Sequence, residues 1–142
     1  MDLPYTISKP ASLEDMETAI AFVQDIWTQA GMDENLTSKL HLVLEEALVN
    51  IIKYAYSDPS SQGNIIISCG MLNRDKFCVQ IKDQGQAFNP LNTEDPDINE
   101  DVEKRPIGGL GIYFVKQLSD IVEYKREKNY NIITICFKKQ NS

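Results

Sequence analysis

The sequence predicts an α+β domain in which helices cover one face of a mixed or antiparallel sheet. Two stretches within the first 56 residues carry apolar side chains at spacings of three and four. Four later runs carry them with period two, and nowhere do strand and helix patterns alternate as βαβ units. The 142 residues fit a single domain, 1–142, whose core hides roughly two thirds of the surface the unfolded chain exposes.

Tyr5-Thr6-Ile7-Ser8 reads as a short first strand, broken by Pro10, and Ser12 then supplies an N-cap. Leu13, Met16, Ile20, Val23, Trp27 and Ala30 form one apolar helical face that stops near Gly31. A second helix runs from about Asn35 to Tyr56, with Leu36, Leu40, Val43, Leu44, Ala47 and Ile51 as its buried stripe. Glu46, Asn50 and Lys53 fall on the shoulder of that stripe, where they would line the edge of a cleft. The turn formers of residues 57–63 lead to two strand runs, Asn64 to Leu72 and Lys76 to Asp83, joined as a hairpin at Asn73-Arg74-Asp75. A third helix spans Leu110 to Leu118, and Ile121 to Lys128 and Tyr130 to Lys138 close the chain as a strand pair.

Composition excludes several function classes. A formal charge of −7 argues against a protein whose main work is neutralising nucleic-acid phosphates or an anionic membrane surface. No apolar run approaches bilayer length, and Met1-Asp2-Leu3-Pro4 has no secretory character, so a cytoplasmic location is expected. Cys69, Cys78 and Cys136 are odd in number and far apart in strand-like runs, which fits reduced thiols better than a disulfide framework. There is no CxxC, and His41 is the only histidine, so a metal site built on His and Cys is not expected.

Three segments carry the chemistry. Asn50 is out of place in a helix interior, because its amide competes for backbone hydrogen bonds, and it follows Glu46 by one turn. Asp83 ends a strand with the parity of Phe77, Val79 and Ile81, so its carboxylate faces the core and needs a partner. Gly108-Gly109-Leu110-Gly111 opens a helix, where free N–H groups and the helix dipole favour an anion. Between the last two lies a stretch without periodicity, about 84–107, strongly acidic in its middle and long enough to be a lid.

In order, these segments resemble the motifs of the GHKL ATP-binding superfamily, the Bergerat fold, and more narrowly its small anti-sigma-factor serine/threonine kinases. Glu46-Ala47-Leu48-Val49-Asn50 with Lys53-Tyr54-Ala55-Tyr56 matches the N box. Asp83 to Pro90 resembles the G1 box, and Arg105 to Ile112 the G2 box with the end of the ATP lid. The resemblance implies a two-layer α/β sandwich with a mixed, mostly antiparallel sheet, helices on one face and a long ATP lid. It implies that Asn50 ligates Mg²⁺ on the phosphates of ATP and that Glu46 is the general base. Asp83 would accept from the adenine amino group, and Gly85 and Ala87 would let the backbone pass close to the base. Gly109, Leu110 and Gly111, with Gly108 before them, would meet phosphate, and Thr134 would support the adenine contact. Lys53, in the continuation of the N box, joins the ATP-binding set, and Arg105, a cation beside the glycine turn, is a candidate phosphate contact. Ala87 and Tyr54-Ala55 depart from the family pattern, in the base pocket.

The function implied is transfer of a γ-phosphoryl group to Ser or Thr of a small anti-anti-sigma-like antagonist, with sequestration of a sigma factor and a homodimeric state. Two other readings stay open: a nucleotide-gated binding module with little turnover, and an interaction protein that binds no nucleotide.

Overall fold

A computed structural model describes residues 2–56, 63–92 and 109–139. The elements are strand β1 (Tyr5–Pro10), helix α1 (Leu13–Gln29), helix α2 (Thr37–Asn50), strands β2 (Asn64–Leu72) and β3 (Lys76–Asp83), helix α3 (Gly109–Leu118), and strands β4 (Ile121–Glu127) and β5 (Tyr130–Lys138). The strands form one sheet in the order β1-β2-β3-β5-β4, and every neighbouring pair is antiparallel. This is the expected two-layer α+β arrangement.

Local chemistry explains the boundaries. Ser12 caps α1 by accepting from the Asp15 N–H at 3.1 Å, and Gly31, at φ +76°, supplies the left-handed residue that ends it. The β4–β5 turn places Lys128 and Asn129 at positive φ, the two-residue hairpin geometry that matches strand twist. Strand β1 extends to Pro10 rather than stopping at Ser8, because its register continues to a Pro10–Asn64 pair.

The core lies between the helices and one face of the sheet. Ile65, Ile67 and Cys69 of β2, Phe77, Val79 and Ile81 of β3, and Ile133, Ile135 and Phe137 of β5 share that face. Trp27 of α1 is fully buried on it, edge-on to Phe77 and Phe137 with ring centroids 5.1 and 5.4 Å apart, a preferred aromatic geometry. His41 tethers α2 to α1, its ring between the carboxylates of Glu17 and Glu45 at 3.3 and 3.4 Å.

Two expectations need correction. The register sets Cys78 of β3 opposite Cys136 of β5 on the other sheet face, Cα atoms 4.1 Å apart, and the two are joined as a disulfide. Only Cys69 is a free thiol, buried, and burial pushes its pKa up to about 12. A separation of 58 residues hid a pairing that strand register alone creates. The second helix is also not one α-helix from about Asn35 to Tyr56. It begins as a 3₁₀ turn, Glu34–Leu36, and after Asn50 widens into a π turn, Ile51–Ala55, closed by a bond from the Tyr56 N–H to Ile51 O at 3.2 Å. Tyr56 is anchored at this point: its hydroxyl accepts from the Gln84 N–H at 2.8 Å and donates to Asn64 O at 3.2 Å.

Candidate functional site

A cleft opens where α2, the end of β3 and the β4–β5 pair meet. It encloses about 350 Å³, its open mouth included, and is lined by Ala47, Asn50, Ile51 and Ala55 from the second helix and its π turn, and by Asp83 from β3. Phe88, Pro90, Ile112, Tyr124, Asn131 and Ile133 complete the wall. Apolar walls with a few convergent polar groups suit a flat, partly polar ligand.

Asp83 is 2% exposed, and its environment is built in detail. Oδ1 accepts from the Gly85 N–H at 3.0 Å and from Asn131 Nδ2 at 2.9 Å. Among the described residues both bonds fall on one oxygen, so the other is left for a donor in the cleft. Burial raises the Asp83 pKa above its ordinary value, against the opposing effects of Asn131, the Gly85 N–H and Arg126.

Asn50 is equally buried, and its Nδ2 donates to the Glu46 carbonyl at 3.0 Å. That bond occupies the amide nitrogen, and Oδ1, a hard oxygen donor, belongs to a side chain that lines the cleft. Glu46 is half-buried one turn earlier, and its carboxylate lies against Gly111 in the first turn of α3. A Cβ at Gly111 would overlap that carboxylate and force it aside, so glycine is what lets the Glu46 carboxylate rest here. The carboxylate already occupies the region favoured by the positive end of the helix.

The sequence-derived site residues divide into groups. Asn50 and Asp83 line this cleft, while Glu46 and Gly111 lie against each other next to it, beside the lining residues Ala47 and Ile112 in sequence. Gly109 and Leu110 open α3, as expected for the glycine turn, while Gly108 and Arg105 lie outside the described residues. Lys53 is exposed and is not part of the lining, because the wider π turn rotates it further from Asn50 than an α-helical turn would.

Thr134 is a clear correction. It pairs with Gln80, on the sheet face away from the helices and from Asp83, and accepts a hydrogen bond from Gln80 Nε2 at 3.4 Å. The residue that pairs with Asp83 across the strands is Asn131, which the sequence reading missed. Counting back in steps of two from the core residues Ile135 and Ile133 would have found it.

The predicted lid also divides differently. Its first residues are stapled in place: the Gln86 N–H donates to Ala55 O at 3.1 Å, Gln86 Nε2 to Tyr54 O at 3.0 Å, and Arg126 to Gly85 O at 2.8 Å. Phe88 stacks on Tyr54 with ring centroids 5.1 Å apart. Residues 93–107 of the expected lid lie outside the described residues. Gly85 is buried here, and a Cβ on it would meet Ala55 O, so its role is to let this strap lie on the π turn. Ala87 is exposed. Neither lines the cleft beside the place expected for the base. Gly85→Ala is expected to destabilise the fold by about 1–3 kcal/mol through overpacking against backbone, measurable as a lower urea midpoint at unchanged slope.

A two-layer sandwich with an acidic, buried strand end, an Asn-bearing helix and a glycine-opened helix around one cleft defines a nucleotide-binding domain of the GHKL type. The profile of the histidine kinase-like ATPase domain matches residues 9–137, and the chain belongs to that family. Serine-protein kinase RsbW from Listeria monocytogenes is 26% identical over 133 residues, covering 90% of this chain and 83% of that protein. Its Staphylococcus aureus counterpart is 28% identical over 136 residues, covering 92% and 85%. The crystal structure of the RsbU and RsbW domains of a Mycobacterium tuberculosis protein has the same fold, with a TM-score of 0.64 at 13% identity. It covers 98% of this chain, which spans 34% of that longer one. No helix among the described residues is long and apolar enough to cross a membrane.

Proposed function

We propose that this domain binds Mg-ATP in the Asp83 cleft and transfers the γ-phosphoryl group to a Ser or Thr hydroxyl of a small antagonist protein. In this reading it is an anti-sigma-factor-type kinase that also sequesters a sigma factor. The observation that carries the proposal is the joint position of three groups: Asp83 and Asn50 line one cleft, and Glu46 lies one turn from Asn50 against the first turn of α3. The RsbW names of the relatives add support from an independent direction.

Each side chain then has a separate task. The Asp83 oxygen that receives no donor among the described residues accepts from the exocyclic amino group of adenine, while Ile51, Ile112 and Ile133 enclose the ring. The glycine-opened turn of α3 directs N–H groups toward phosphate. Asn50 fits a magnesium ligand, because its amide nitrogen is tied to Glu46 O and its side chain, with a hard amide oxygen, lines the cleft. Magnesium bound there would neutralise phosphate charge during transfer. Glu46 accepts the proton of the attacking hydroxyl as that oxygen bonds to the γ-phosphorus. The bond from the γ-phosphorus to the bridging oxygen breaks, and ADP leaves with that electron pair.

The assay is incubation of the protein with γ-labelled ATP, magnesium and candidate acceptor proteins. Label on a Ser or Thr of an acceptor is the expected result. Nucleotide binding with no label transfer selects the gated binding module, and failure to bind nucleotide at all overturns both.

A pH dependence follows from Asp83. Its folded pKa is raised, so its contribution to stability is fully present below the unfolded value and is lost as pH rises through the folded value. Base binding runs the other way, since the amino group needs an ionised acceptor. ATP affinity is therefore expected to fall as pH drops into this raised range, and calorimetric titrations at a series of pH values should show the decline. In Asp83→Asn the same series should be flat there.

A further inference from the structure

We propose that Asn131, locked by Tyr124, is the positioning residue that aims Asp83 at the base and thereby sets the cleft's preference for a 6-amino over a 6-oxo purine; this rests on the nucleotide-binding reading above. Asn131 is 4% exposed and its amide is saturated. Nδ2 donates to Asp83 Oδ1 and to Gln86 O, both at 2.9 Å. Oδ1 accepts from the Phe88 N–H at 3.3 Å and from the Tyr124 hydroxyl at 2.5 Å. An amide has two donor hydrogens and two acceptor sites, and here each has a partner.

That saturation fixes the direction of the amide. Rotated by half a turn, Asn131 would set its oxygen against Asp83 Oδ1 and Gln86 O, acceptor against acceptor, and its NH₂ against the Phe88 N–H. With the amide held, Asp83 Oδ1 is occupied by Asn131 and the Gly85 N–H, so the carboxylate cannot swing. It presents one acceptor to the cleft and no donor. An exocyclic amino group is welcomed there, and a carbonyl oxygen at the same ring position meets a like partial charge. Tyr124 and Asn131 both line the cleft, but in this account neither needs to touch the base to choose it.

The probe pair is ATP and ITP, which differ at that ring position and in the proton that the 6-oxo base carries on the adjacent N1, measured by titration calorimetry with magnesium. The wild-type protein is expected to favour ATP by at least about tenfold, since sites built to hydrogen-bond a group discriminate strongly against its absence. Asn131→Ala should weaken ATP by about tenfold and change ITP by less than about twofold, the loss of an aimed charge-assisted bond. Tyr124→Phe, which removes one of the two donors to Oδ1, should shift the ATP to ITP ratio in the same direction by a few fold, roughly, and keeps the test available if Asn131→Ala does not fold. Equal loss of both nucleotides, with the ratio unchanged, would mean that Asn131 only supports the fold, and would overturn the proposal. So would a wild-type protein that binds ATP and ITP alike. A wild-type protein that binds neither overturns the underlying nucleotide reading instead, and the proposal with it.

Discussion

Glu46→Gln is expected to keep the fold and nucleotide affinity while lowering phosphoryl transfer by about 10²–10⁴-fold, the usual scale for loss of a general base. The substitution is nearly isosteric, so the contact of this side chain with Gly111 of α3 survives. An amide oxygen, however, has no useful basicity near neutral pH and cannot take the proton of the attacking hydroxyl. Asn50 is undisturbed, because it is tied to the backbone carbonyl of Glu46 and not to its carboxylate. Single-turnover label transfer beside calorimetric ATP affinity separates the two effects. Unchanged transfer with an intact fold would remove Glu46 from the chemistry, and a parallel loss of affinity would recast it as a residue that mainly supports the glycine turn.

Asp83→Asn should weaken ATP binding by about ten- to a hundredfold, the worth of a hydrogen bond to a charged group of about 1.5–3 kcal/mol. The direction follows from the two N–H donors on Oδ1. They hold the carbonyl oxygen of the new amide on their side and send its NH₂ into the cleft. A donor then faces the adenine amino group, whereas hypoxanthine offers that donor a carbonyl. ATP should therefore weaken while ITP strengthens, an inversion that simple damage to the pocket would not produce. Thermal stability should hold or rise slightly, because a buried charge is removed while its two neighbours keep an acceptor. A variant that loses both nucleotides equally would show that Asp83 does not read the base.

Much of this architecture was legible from side-chain patterns. The face from Met16 to Ala30, its Ser12 cap and Gly31 stop, both hairpins and the strand limits 64–72 and 76–83 follow from periodicity and turn chemistry, which act over a few residues, whereas Leu13, assigned to that face, is 62% exposed. The core-facing parity of Asp83 was readable for the same reason, as was the oddity of Asn50 within a helix. In the structure Asn50 and Asp83 both line one cleft. The π turn was not legible, because it depends on anchoring Tyr56 to Asn64 and Gln84, two partners on other segments.

The order of elements, the amphipathic faces and the carboxylates and glycines at their ends were determined by the sequence itself, since backbone geometry and side-chain period are local properties. Tertiary structure alone decided which residues meet across strands. It joined Cys78 to Cys136, turned Thr134 away from the cleft, gave Asp83 its partner in Asn131, and stapled Gln86 and Phe88 to segments distant along the chain. The physical reason is register. A shift of one residue sends every side chain of a strand to the opposite face, and that shift is set by how two distant strands pair.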